Sequence, residues 1–213
     1  MRLMIRMTPI LMIAFLASTA FGQIVPGDPG TYPSVSVVNT PHNLNNFPGV
    51  SIPGNQVCLP CHTPHNALLP GEENVLWNHE STAETFIMYS STAGQPEGPS
   101  KMCLSCHDGV TAIDNYGGTG GTGIVITGPA ALGTDLTDDH PIGIEYPNDP
   151  AEYHDPSTFA PGINNGPGVQ LVEINTVERV ECTSCHHVHN NGLGNFLRVP
   201  VQESYICLQC HIK

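Results

Sequence analysis

Positive charge is scarce. The chain has six Lys and Arg against 19 Asp and Glu, a formal net charge of −13 with His neutral. A surface so poor in cations excludes the phosphate-neutralising grip on nucleic acids and the attraction to anionic membranes. Aromatic residues make up 6% of the chain, charged residues only 12%, and Trp77 is the single tryptophan. Set against 22 Gly and 20 Pro, these shortages predict a loop-rich chain whose side chains build a weak core. Long apolar runs are missing too, with one exception at residues 7–17. That run follows Arg2 and Arg6 and is closed by the small residues Ala20 and Gly22 before Gln23. It reads as a secretory signal peptide over residues 1–22, too short for a stable bilayer span. A plain N-terminal membrane anchor is the rival reading. The expected mature chain, residues 23–213, is a single domain without a membrane span. It is exported to the cell surface or beyond it, or alternatively to the periplasm. It keeps Lys101, Arg179, Arg198 and Lys213 as its Lys and Arg against all 19 acids.

What the chain does have is cysteine, in one arrangement only. All eight fall into four Cys-x-x-Cys pairs, each followed at once by His. They are Cys58 and Cys61 with His62, Cys103 and Cys106 with His107, Cys182 and Cys185 with His186, and Cys207 and Cys210 with His211. This is the attachment signature of c-type haem. Two thiols at this spacing add across the two vinyl groups on one porphyrin edge. The next residue then lies beneath the ring, where its imidazole reaches iron. Two Cys₄ zinc sites, or disulfides in an exported protein, use the same pairs. Neither explains a His after every pair, which chance supplies on the order of once in 10⁵. The expectation is four covalently attached haems, c type, per chain.

Four irons bound by His62, His107, His186 and His211 need four further ligands or four open positions. Methionine is nearly excluded, because only Met88 and Met102 lie beyond the signal peptide and Met102 abuts Cys103. Seven other His remain: His42, His65, His79, His140, His154, His187 and His189. Neutral imidazole is a good ligand for haem iron. His42, His79 and His140 lie far enough from any motif to reach a distal face. His65 and His189 each follow a proximal His by three residues, too close to cross their own porphyrin but able to serve a neighbouring one. These five are the candidate distal ligands. His187 is crowded against a proximal His and His154 lies in a polar stretch. Bis-histidine ligation leaves no vacancy for substrate, so electron transfer is expected and catalysis is not.

Along the chain, residues 23–57 read as extended coil. Residues 81–90 predict a short helix capped by Ser81 or Thr82, and Ile124–Thr127 a short strand or hairpin. The glycine run from Gly117 to Gly123 predicts a loop, and residues 201–211 a final helix. The expected fold is mostly coil with short helices and a few short strands, a multihaem cytochrome c wrapped around a haem column. About 48 residues per haem are far too few for separate cores, so porphyrins and thioethers must supply the interior.

The stretch from Cys182 to His186, through Phe196-Leu197-Arg198, to Cys207 and His211 resembles the doubled CXXCH family of multihaem cytochromes. Thr40-Pro41-His42-Asn43, Cys58 to His65, Leu76 to His79, Cys103 to Gly109 and Asp138 to Pro141 are similar to the filament-forming tetrahaem members of that group. The resemblance covers nearly the whole mature chain. It implies bis-histidine haems in close succession and subunits that polymerise head to tail, so that haems run continuously along an extracellular fibre. It also implies that a His just after the first motif ligates a haem of the next subunit, a role that falls here on His65. Partners would then be further copies, with redox proteins or extracellular acceptors at the ends. The alternatives are a soluble periplasmic electron shuttle and a multihaem reductase with one open haem.

Overall fold

Glycine and proline break the backbone too often for long elements, and the fold is accordingly mostly coil. The computed structural model describes residues 36–68, 75–91, 93–162 and 168–213. The expected signal peptide and the start of the coil expected over residues 23–57 lie outside them. Among the described residues no helix is long and apolar enough to cross a membrane. One three-turn helix, α1 (Gly98–His107), begins with proline in its first turn and carries the second motif. A single-turn helix, α2 (Cys182–Cys185), carries the third, and the two helices pack against each other. Across the contact Ser100 Oγ accepts the Cys182 amide at 2.9 Å, and within the α2 cap Ser184 Oγ accepts the Glu181 amide at 2.9 Å.

A small antiparallel sheet has the strand order β1–β3–β2, with β1 at Ile144–Glu145, β2 at Val172–Ile174 and β3 at Val177–Val180. Strands β2 and β3 pair Ile174 with Val177 across a two-residue turn, Asn175–Thr176. Both turn residues have positive φ (53° and 66°), the type I′ geometry that suits strand twist.

The apolar interior is split into two small clusters. One holds Val50, Ile52 and Ile113; the other holds Phe86, Leu104 and Leu136. Trp77, Met102, Ala112, Val169, Val180, Phe196 and Val199 are buried outside these clusters, so the described interior is dispersed. Leu104 and Ser105, the two residues inside the second motif, are fully buried, so that motif is part of the interior.

Three local expectations are corrected. Residues 81–90 are not helical, because distant groups take their backbone polar atoms. Thr82 N donates to Ser105 Oγ at 3.0 Å, the Gln95 side chain clamps both the N–H and C=O of Phe86, and Ile87 N donates to Thr134 O at 2.8 Å. Residues 124–127 form no strand; Ile124 contributes one bond, accepting from Ile113 N at 2.9 Å. The final helix is reduced to two single 3-10 turns, Gln202–Ser204 and Cys207–Gln209, because Glu203 and Ser204 adopt φ of 54° and 61°. The stretch from Gly117 to Gly123 is the loop its composition predicts.

Asp108 locks the turn after the second motif. It is 1% exposed and accepts from the Val110 and Thr111 amides at 2.8 Å and from the Thr111 hydroxyl at 2.7 Å. Burial pushes its pKa up, but these bonds and one from Thr82 outweigh burial and hold it below 3.8. A depressed carboxylate adds stability above its unfolded pKa and loses it as pH falls. Asp108→Ala is therefore expected to cost about 2 kcal/mol at pH 7, since buried donors lose their acceptor. The penalty should shrink below about pH 4. Denaturant unfolding of both proteins at pH 7 and pH 3 measures it; an equal penalty at both would contradict this assignment.

Candidate haem site

Each of the four motif histidines is held by a return segment of backbone that pairs with the motif for one or two residues. His62 bridges Trp77, with Thr63 N on Leu76 O (3.2 Å) and Asn78 N on Cys61 O (2.9 Å). His186 bridges Leu197, with His187 N on Phe196 O (2.7 Å) and Arg198 N on Cys185 O (2.9 Å). His107 O accepts from Leu132 N at 2.8 Å. His211 bridges Tyr153, with His154 N on Cys210 O and Ile212 N on Glu152 O, both 2.8 Å.

The same segments fix the imidazoles. Nδ1 of His62 lies 2.8 Å from Val75 O, Nδ1 of His107 2.7 Å from Ala130 O, and Nδ1 of His186 2.8 Å from Asn195 O. A carbonyl only accepts, so Nδ1 carries the proton in each ring and the Nε2 lone pair is free to bind a metal. Motifs one and three achieve this with the same strained backbone. Val75 and Leu76 have φ of 46° and 57°, and Asn195 and Phe196 have φ of 48° and 56°. A β-branched residue such as Val75 rarely adopts that conformation, and here it turns a carbonyl toward the ring.

Two candidate distal rings stand opposite proximal ones. His189 lies 6.0 Å from His62 and His42 lies 6.2 Å from His107, centroid to centroid. Two imidazoles on opposite faces of one metal ion sit about 6 Å apart, with metal–nitrogen bonds of about 2 Å and each ring centre about 1 Å behind its nitrogen. His42 is stacked on Phe196 at 4.2 Å. Burial first, then the neighbouring His107, push its pKa down from 6.5 to about 4. It is thus the neutral base that ligation requires. His187 and His189 are also 5.9 Å apart, but His187 Nδ1 accepts the His189 amide at 3.3 Å. In a neutral ring that puts the proton of His187 on Nε2, the reverse of the metal-ready form.

The other candidates lie elsewhere. His140 is exposed with Nδ1 on Pro141 O at 3.0 Å, leaving Nε2 free. His79 is 1% exposed, with Nδ1 on Glu80 O at 2.8 Å and Nε2 3.2 Å from Ile113 O and 3.4 Å from Cys106 Sγ. His65 is exposed. The proximal ring of the fourth motif, His211, faces Tyr153 at 5.0 Å.

All eight thiols are unpaired, so the disulfide arrangement is not formed. Among the described residues no three His, Cys, Asp or Glu converge to cage a metal ion, so the Cys₄ arrangement is not formed either. The motifs are strung together through their sulfurs in chain order. Cys61 lies close enough to raise the Cys106 pKa, Cys103 and Cys182 share a hydrogen bond, and Cys185 feels Cys210. Burial first, then the neighbouring thiols, push Cys61 and Cys185 up to about 11. These two thiols therefore remain protonated at neutral pH and resist the thiolate chemistry of reactive cysteines.

The residues suit a covalently held haem: paired thiols at all four motifs, a motif Nε2 freed by a backbone carbonyl at three, and a second imidazole about 6 Å away at two. Sequence reasoning found the sulfurs and rings but missed Val75, Ala130 and Asn195, whose contribution is a carbonyl that every residue type has. His42→Ala and His189→Ala are each expected to turn one low-spin haem in four high-spin, read by electron paramagnetic resonance of the oxidised protein. An unchanged low-spin spectrum in either variant would contradict that ring pair. No protein-family model and no curated protein matches the chain.

Proposed function

We propose that this chain is an exported electron carrier holding four covalent haems, and that copies join head to tail into a conducting filament. The observation that carries the reading is the pair of opposed imidazoles, His62 with His189 and His107 with His42, whose proximal members have Nδ1 committed to a carbonyl. Haem supplies a one-electron carrier that cycles between ferric and ferrous iron. The thiols Cys58, Cys61, Cys103, Cys106, Cys182, Cys185, Cys207 and Cys210 hold it. His62, His107, His186 and His211 ligate from one face.

An imidazole on the second face excludes substrate from iron, so the protein carries electrons and is not an enzyme. The hydrogen bond between Cys103 and Cys182, with the electrostatic influence of Cys61 on Cys106 and of Cys210 on Cys185, supports a single row running from the first motif to the fourth. The thinness of both side-chain clusters supports a fold wrapped around that row. The shortage of Lys and Arg argues against nucleic acid as a partner.

The case for a filament rests on an internal repetition. Cys58 to His65 and Cys182 to His189 share the pattern Cys-x-x-Cys-His-x-x-His, followed in both by Asn. Both lead into a pair of left-handed residues and a bridged residue, Trp77 or Leu197. Both end in Cys-Leu-x-Cys-His. The chain is therefore two two-haem units. In the second unit His189 reaches back over His62 of the first. The same displacement applied once more sets His65 of another copy over His186. His65 is exposed, and the same relation repeated from copy to copy gives an open assembly. For the fourth motif, His140 offers a free Nε2 and is assigned as the partner of His211.

His65→Ala is expected to retain four haems by mass, to show one high-spin haem, and to yield dispersed particles where the parent protein forms fibres by electron microscopy. Fibres with unchanged spectra would contradict the shared ligand. A parent protein that shows only monomers would return the chain to a soluble shuttle.

A further inference from the structure

The bridged position that follows each left-handed pair is occupied differently in the two units. In the second it is Leu197, which offers only hydrocarbon. In the first it is Trp77, 9% exposed, and its indole Nε1–H is buried without a hydrogen-bond partner. An unmade hydrogen bond of this kind costs free energy that folded proteins rarely accept. The ring is well fixed: its centroid lies 6.4 Å from His62, nearly edge-on at 83°, and 6.2 Å from His79. The backbone on both sides is bonded to the first motif, through Leu76 O and Asn78 N. The segment that carries the indole is therefore anchored beside His62, and the indole N–H is held out of solvent. Its unmet donor sits beside the first proximal ligand, where a haem brings strong acceptors in its two carboxylate side chains.

Resting on the haem reading above, we propose that Trp77 is a positioning residue that donates its indole N–H to a carboxylate of the first haem. This contact sets that haem apart from the third. A carboxylate near iron favours the ferric state, and a donor on that carboxylate withdraws part of its charge. The first haem should thus hold a higher potential than it would with the apolar residue of the second unit in its place.

The test uses the purified four-haem protein. Trp77→Phe keeps an aromatic ring and deletes the donor; Trp77→Gln restores an N–H. In W77F, one of the four one-electron midpoints should fall by about threefold in its reduction equilibrium, close to 30 mV at 59 mV per tenfold for one electron. The propionate-bending band in resonance Raman should shift with it, while the low-spin bis-histidine signals stay. W77Q should recover at least part of both changes. Four unchanged midpoints with an unchanged propionate band in W77F would overturn the proposal and assign the N–H to water. A joint drift of all four midpoints would overturn it as well, because it would report general loosening. A parent protein without covalent haem would instead refute the underlying haem reading, which is a separate outcome.

Discussion

An imidazole binds a metal only through a nitrogen that carries no proton, and this chain settles which nitrogen that is with backbone carbonyls. The carbonyls of Val75, Ala130 and Asn195 each accept a hydrogen bond from the Nδ1–H of a motif histidine. Much of the irregular backbone follows from that requirement. The left-handed pairs at Val75–Leu76 and Asn195–Phe196 would be costly in an ordinary loop. Here they let an extended return segment pair with the motif while turning one carbonyl sideways onto the ring. The neutral state imposed on His42 by burial serves the same end from the opposite face.

This economy explains a fold that looks under-built. Among the described residues the sheet has three strands, the longest helix has three turns, and the two apolar clusters hold three buried residues each. Side-chain burial on that scale does not order a chain so rich in Gly and Pro. In the proposed carrier the missing interior is porphyrin, and the loops are tied by thioether and iron–nitrogen bonds in place of packing. Folding and cofactor attachment then become one event, as in small domains that fold around a metal.

The candidate site residues were legible in the sequence because every cysteine falls in the same Cys-x-x-Cys-His spacing. The coil-rich architecture and the glycine loop were legible from composition. The helix expected at residues 81–90 was not, because Ser105, Gln95 and Thr134 reach from far along the chain to take the hydrogen bonds a helix would have used. The final helix failed for a local reason, the positive φ at Glu203 and Ser204, which nothing in those residue types announces. The three ring-orienting carbonyls were invisible because position alone gives them their role. The likeness of the two units was present in the Cys-x-x-Cys-His-x-x-His pattern. It gained meaning only when the backbone showed the same pair of left-handed residues behind both copies.

The central claim is that four porphyrins are joined to the polypeptide through its paired cysteines. The intact mass of the processed protein under denaturing conditions tests it most directly. The account predicts the mass of residues 23–213 increased by four haems, retained after unfolding and acid extraction. The bare polypeptide mass, or a colourless chain, would contradict it.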